Sequence, residues 1–340
     1  MKTSIKSSMN RAPKIQSNQI MDFVDVEGEK GSRRFRIITR FPRGRVMPPR
    51  GSGKFFSESQ ISEEALERLA ENIARWNGTG LRGYVTFGSN GESVFLEEEE
   101  KLAVVRTVVE AAAPGMAVIA GTGCESTAQT IRLTNACARL GAHAALVVTP
   151  FYYGPQMTEE ALYRHFTAVA DASDIPILVY NVTKFTHLAV SVRLAARLAE
   201  HPRIIGIKDS NGNVATLGEL IARVDREHFA VLVGTAGALF GALSLGAAGG
   251  VLALANVAPE ECVTIARHVA GGDWEAARRL QLRMLPVNTA VTATYGVPGL
   301  KAALDLRGYF GGDPRPPLLP SGPEERAAIA AILRRAGLIA

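Results

Sequence analysis

The chain is poor in the residues that carry metal or disulfide chemistry. Its 340 residues hold three cysteines, Cys124, Cys137 and Cys262, an odd number with long spacings and no CxxC pair. This excludes a disulfide framework and a cysteine-built zinc site, and it fits reduced thiols in a cytosolic protein. No apolar run is long enough to cross a bilayer, and the N-terminus lacks the apolar core of a secretory signal. His165, His187 and His201 stand without metal-ligand spacing, so they are expected to be surface or structural groups. No carboxylate pair and no Ser/His/Asp set falls at the strand ends. A glycine-rich nucleotide loop after a first strand is also missing: Gly121-Thr122-Gly123 and Gly246–Gly250 match neither the dinucleotide nor the P-loop pattern.

What is present is globular. The chain is 47% hydrophobic and 21% charged, and its length suits one large domain or two small ones. The net charge of +5 is modest. Arginines crowd the N-terminus (Arg33, Arg34, Arg36, Arg40, Arg43, Arg45, Arg50), a pattern compatible with a nucleic-acid or membrane arm. The preferred reading is a solvated leader, with no nucleic-acid and no membrane partner. Asp22, Asp25, Glu27 and Glu29 weigh against a transit peptide.

Residues 1–43 have mixed charge and no period, and are expected to form a tail of uncertain structure. A short first strand is expected within 44–49, weakened by Pro48-Pro49. Ser62 is an expected N-cap for a helix ending near Trp76. A regular alternation then sets in. Strands are expected at 81–87, 117–120, 144–149, 177–180, 204–208, 230–234 and 250–253, and helices at 97–112, 127–140, 159–172, 192–200, 215–224 and 238–245. Ser126 with Gln129 predicts a capping box, and Ser191 a further N-cap. Short apolar strands bounded by helices imply a parallel sheet covered on both faces. Eight such units predict an α/β fold, a (β/α)8 TIM barrel over 44–258, in preference to an open doubly wound sheet. Residues 259–340 predict four further helices, a C-terminal helical extension packed beside the barrel.

In a barrel the active site lies at the C-terminal ends of the strands. That rule gathers Gly88-Ser89-Asn90-Gly91-Glu92, Thr149-Pro150-Phe151-Tyr152-Tyr153, Tyr180-Asn181 and Lys208-Asp209-Ser210 at one mouth. The glycine-flanked turn offers backbone N–H groups and a hydroxyl to a carboxylate, and equally reads as a plain strand-to-helix turn. Lys208 ends the β-branched run Ile204-Ile205-Gly206-Ile207. Burial disfavours its charged form, and an uncharged lysine attacks carbonyls to give a Schiff base. A lysine that simply reaches water is the plain alternative. Tyr153 is expected to pack at the rim, and a buried Tyr180 hydroxyl needs a partner.

These motifs, with Ala120-Gly121-Thr122-Gly123 and Gly206-Ile207-Lys208-Asp209-Ser210 in this order, resemble the pyruvate-dependent class I aldolase superfamily, which contains dihydrodipicolinate synthase and N-acetylneuraminate lyase. Within it the chain is most similar to 4-hydroxy-2-oxoglutarate aldolases. That likeness rests on Gly88–Glu92, Gly121-Thr122-Gly123-Cys124-Glu125-Ser126-Thr127, Ala255-Asn256-Val257 and Gly296-Val297-Pro298-Gly299-Leu300-Lys301. The resemblance covers residue 44 to the C-terminus. It implies Lys208 as the Schiff-base lysine and Tyr180 as the proton shuttle. Ser89 and Asn90 would hold the pyruvate carboxylate, with Ser89 relaying protons, and Tyr152 would be lent to a neighbouring subunit. Ser210 and Leu252 are implied as substrate contacts. The resemblance further implies a homotetramer built as a dimer of dimers, no metal and no organic cofactor, with a 2-oxo acid (pyruvate) and an aldehyde as substrates. One departure stands out. Where dihydrodipicolinate synthases carry an arginine for the aldehyde's carboxylate, this chain has Phe185, with Lys184 beside it as a point charge. The expected activity is aldol cleavage of 4-hydroxy-2-oxoglutarate to pyruvate and glyoxylate. Its rivals are a pyruvate-condensing synthase, a sugar-acid dehydratase or aldolase, and a non-catalytic 2-oxo acid sensor on the same barrel.

Overall fold

The structure, a computed structural model, describes residues 24–25 and 61–340. The strand expected within 44–49 lies outside the described residues. Seven parallel strands form a curled sheet: β2 (Gly83–Thr86), β3 (Ala117–Gly121), β4 (Ala144–Val148), β5 (Ile177–Asn181), β6 (Ile204–Asp209), β7 (Ala230–Val233) and β8 (Gly249–Gly250). They pair in sequence order. Within residues 1–43, expected to be a tail of uncertain structure, β1 (Val24–Asp25) pairs antiparallel with β8 at Gly249–Gly250. Among the described residues no pairing joins β1 to β2.

The helices are α1 (Glu63–Trp76), α2 (Glu98–Ala111), α3 (Thr127–Arg139), α4 (Glu159–Ala172), the single turn α5 (Thr183–Thr186), α6 (Val192–Leu198), α7 (Val214–Arg223) and α8 (Leu239–Ser244). Their starts follow local chemistry. Ser62, Thr158, Ser191 and Asn213 each accept a hydrogen bond from a backbone N–H in the first turn. Ser126 accepts the Gln129 N–H at 3.4 Å, and among the described residues only this half of the expected capping box forms. The last strand, expected over 250–253, is only Gly249–Gly250, and a 3₁₀ turn follows at Ala253–Asn256.

Period-2 alternation sorts the strand side chains into two layers. Val85, Ile119, Leu146, Leu178, Tyr180, Leu232 and Val251 pack inside the curl. Their neighbours, such as Ile177, Val179, Val231 and Val233, join the larger layer between sheet and helices. The C-terminal extension forms α9 (Pro259–Ala270), α10 (Trp274–Thr289), α11 (Gly296–Leu306) and α12 (Pro323–Arg335). Between α10 and α11 runs a π turn, Ala290–Thr294, closed by Tyr295 N–H to the Ala290 carbonyl at 2.9 Å. It follows Pro286, which has no N–H to give the α10 ladder.

His165 on α4 is buried, and its Nδ1 lies 2.9 Å from the Thr127 hydroxyl of α3. Burial pushes its pKa down to about 4. The unfolded chain takes up that proton near 6.5 and the folded chain only near 4, so stability is whole above 6.5 and falls as pH drops towards 4. Denaturant unfolding across this window is expected to lose about 3 kcal/mol on this account, and His165→Gln is expected to flatten the slope.

Candidate active site

The strand that carries Lys208 is irregular, and the irregularity decides where its amine points. Along β6, Ile204 lies in the outer layer and Ile205 packs against the inner one. Strict alternation from Ile204 would send Gly206 outward, Ile207 inward and Lys208 outward. The register shifts instead: Ile177 pairs with Ile204, but Leu178 pairs with Gly206, leaving Ile205 as the extra residue of a bulge. Ile207 consequently falls in the outer layer, and Lys208 pairs with the inward-facing Tyr180.

Lys208 is 4% exposed, and its Nζ sits 4.3 Å from the centroid of the Tyr180 ring. A Cβ built on Gly88 would lie 3.8 Å from the same Nζ, so the turn after β2 closes over the amine. The Tyr180 hydroxyl and Ser89 Oγ are 3.2 Å apart, and either can donate. Lys208, Tyr180 and Ser89 thus form one cluster at the C-terminal end of the sheet. Asn90 stands half-buried in the same one-turn 3₁₀ segment, Ser89–Gly91.

On the other face of the same strand ends lies an amide–carboxylate chain. Asp209 is buried and accepts from Asn181 Nδ2 at 2.6 Å and from the Asn211 N–H at 3.0 Å. Burial pushes its pKa up, opposed by these hydrogen bonds. Asn211 Oδ1 in turn accepts the Thr183 N–H at 3.2 Å, which ties the loop after β5 to the lysine strand.

The other expected residues separate. Ser210 points to the Lys208 side, and its hydroxyl is buried with no partner among the described residues. A side chain on Gly234 would overlap it, so that glycine makes room for it. Leu252 does not join the inner layer. Its side chain packs between sheet and helices, on the side where Gly250 and Val233 face, while Val251 lines the interior. Tyr152 is 75% exposed and sits edge-on to the also exposed Tyr153 at 5.1 Å. Phe185 is exposed, and Lys184 Nζ donates to the Thr292 carbonyl at 2.9 Å.

Sequence reasoning missed Glu125. Its carboxylate accepts the Phe151 and Tyr152 N–H groups, each at 3.0 Å, and so anchors the loop that bears Tyr152. The signal was a carboxylate directly before the Ser126 cap, but nothing local says which loop it meets. Glu125→Ala is expected to speed amide exchange at Phe151 and Tyr152 about tenfold, read by NMR, with little change elsewhere.

Among the described residues no group of three His, Cys, Asp or Glu side chains is placed to hold a metal ion, and no helix is long and apolar enough to span a membrane. Comparison with known proteins agrees with this geometry. The Dihydrodipicolinate synthetase family model matches residues 52–336. A 4-hydroxy-tetrahydrodipicolinate synthase of Thermodesulfovibrio yellowstonii is 36% identical over 84% of this chain and 96% of its own length. The crystal structure of a dihydrodipicolinate synthase from Acinetobacter baumannii complexed with pyruvate aligns with a TM-score of 0.77 and 32% identity, covering 81% of this chain and 93% of that one. A prophage protein of the same family from E. coli K12, also in complex with pyruvate, aligns with a TM-score of 0.77 and 29% identity over 84% and 95%. The fold is therefore a TIM barrel with added C-terminal helices, and the chain is a pyruvate-dependent class I lyase belonging to the dihydrodipicolinate synthetase family.

Proposed function

We propose that this enzyme cleaves a 4-hydroxy-2-oxo acid, 4-hydroxy-2-oxoglutarate in the first instance, to pyruvate and an aldehyde, glyoxylate. The motifs at 121–127 and 296–301, similar to those of 4-hydroxy-2-oxoglutarate aldolases, carry the choice of substrate, and Phe185 weighs against the synthase. A phenyl ring stands in the loop after β5 where a synthase would need an arginine to grip its aldehyde's carboxylate.

Lys208 loses its proton and attacks the 2-oxo carbon. Water leaves, and a protonated imine forms as the electron sink. The Ser89–Asn90 turn receives the adjacent carboxylate on N–H and side-chain donors. Tyr180, hydrogen-bonded to Ser89, takes the proton of the 4-hydroxyl, and the C3–C4 bond breaks to leave an enamine and a free aldehyde. Protonation of the enamine and hydrolysis of the imine return pyruvate and Lys208. The unpartnered Ser210 hydroxyl, on the same face as Lys208, supports a further contact to the substrate. The chain's own lysine supplies the electron sink, so this route calls for no metal or organic cofactor.

The names of the relatives favour a second reading, condensation of pyruvate with an aldehyde in the manner of 4-hydroxy-tetrahydrodipicolinate synthases. Borohydride reduction in the presence of pyruvate, followed by peptide mass spectrometry, is expected to place a pyruvyl-derived mass on Lys208. No adduct there removes both readings. Release of pyruvate from 4-hydroxy-2-oxoglutarate, set against condensation with aspartate semialdehyde, then separates them. Lys208→Ala is expected to lower cleavage by more than about 10³-fold and Tyr180→Phe by about 10²–10⁴-fold.

In the same reading the enzyme is cytoplasmic and forms a dimer or a pair of dimers in which Tyr152 serves the neighbouring subunit; the exposure of Tyr152 supports this. Mixed oligomers of Tyr152→Phe with Lys208→Ala are expected to regain part of the activity that each lacks alone. One mixed site then holds both an intact lysine and its neighbour's tyrosine. Two inactive parents giving an inactive mixture would assign Tyr152 to its own subunit.

A further inference from the structure

The Ser89–Gly91 turn is bracketed by two non-glycine residues in the left-handed region, Phe87 at φ 58° and Glu92 at φ 54°. Such backbone is strained for a side-chain-bearing residue and persists only where surroundings hold it. A glycine at position 92 would adopt that φ freely. The chain places glutamate there, so the side chain has a task.

That task is visible. The Glu92 side chain is wholly buried and pairs with Lys301 of α11, also wholly buried, at 3.0 Å. Its other oxygen accepts the Arg315 N–H at 2.6 Å. Lys301 Nζ further reaches the Asp313 carbonyl at 3.2 Å. The Arg315 guanidinium pairs with Glu100 of α2, and both are buried. A side chain on Gly311 would overlap the Lys301 backbone, so only glycine lets the 311–315 segment approach this closely. Two carboxylates and two cations therefore lie in the core directly beneath the turn. Burial pulls the Lys301 pKa down, and Glu92 opposes that shift.

A buried ion pair is weak as a source of stability, because desolvation offsets the attraction, and well-packed neutral replacements are often as stable. What it provides is fixed geometry. We propose that Glu92 and Lys301, backed by Arg315 and Glu100, are positioning residues that hold the Ser89–Asn90 turn against the carboxylate of the bound 2-oxo acid. The C-terminal extension is then part of the binding site although it contributes no residue to it. This rests on the reading that the turn receives pyruvate.

The test compares wild type with the double variant Glu92→Gln/Lys301→Met, which removes both charges at similar volume. Thermal melting and circular dichroism report the fold, and borohydride trapping over a pyruvate series reports the turn. The double variant is expected to melt within a few degrees of wild type and to be trapped fully at saturating pyruvate. Half-trapping is expected at about tenfold higher pyruvate, with kcat for cleavage changed much less than KM. Half-trapping at the wild-type concentration in a folded double variant overturns the proposal. Where the double variant does not fold, Lys301→Arg and Glu92→Asp keep the charges and alter the reach. Each is expected to raise the half-trapping concentration several-fold, and wild-type values for both overturn the proposal equally. If wild type itself gains no adduct, the reading of the site fails instead, and the two failures are told apart.

Discussion

One extra residue in β6 governs where the chemistry sits. Without the bulge at Ile205, Lys208 would face the helices, in a layer packed with aliphatic side chains and no room for a substrate. With it, the amine enters the curl of the sheet against the Tyr180 ring and beneath Gly88. The displacement costs one unpaired ladder position and gains a buried, inward amine. Asp209 takes the place that Lys208 gives up. Its buried carboxylate is held by neutral amides from Asn181 and Asn211 rather than by a cation. The lysine strand and the preceding strand, β5, are thereby locked at their ends, on the face away from Lys208.

The turn after β2 meets the same requirement by other means. It must bring N–H groups and a hydroxyl close to the lysine, which a relaxed strand-to-helix connection does not do. Left-handed backbone at Phe87 and Glu92 makes the sharp path, and the ion cluster beneath opposes its relaxation. Lys301 and Arg315 reach that point because α10 turns through the π segment into α11 instead of running straight. The added helices therefore bear on the site through buried charge.

Much of this was legible in the sequence, and the boundary between what was and what was not is physical. Strand positions followed from β-branched runs, and helix starts from Ser62, Ser126 and Ser191, because both depend on neighbours in the chain. The gathering of Ser89, Tyr180 and Lys208 followed from the barrel rule once eight βα units were counted. The facing of Lys208 was not legible, since plain alternation along Ile204–Lys208 predicts the wrong side and only pairing with β5 exposes the bulge. Leu252 follows plain alternation, outward after the inward Val251, and so packs between sheet and helices. Glu92 and Lys301 read as a turn residue and a helix lysine, because an ion pair so distant along the chain leaves no local mark.

Substrate choice and imine chemistry are separable in this architecture. The loop that bears Lys184 and Phe185 hangs from β5 and is tied to the lysine strand through Thr183, Asn211 and Asp209, and through Val190 and Asn181. Those bonds use backbone and the outward face, leaving the side chains at 184 and 185 free of them. Lys184 rests on the Thr292 carbonyl of the π segment and Phe185 stands in solvent, so neither braces the cluster of Lys208, Tyr180 and Ser89. A change at these two side chains therefore leaves the amine, the phenol and the turn in their places.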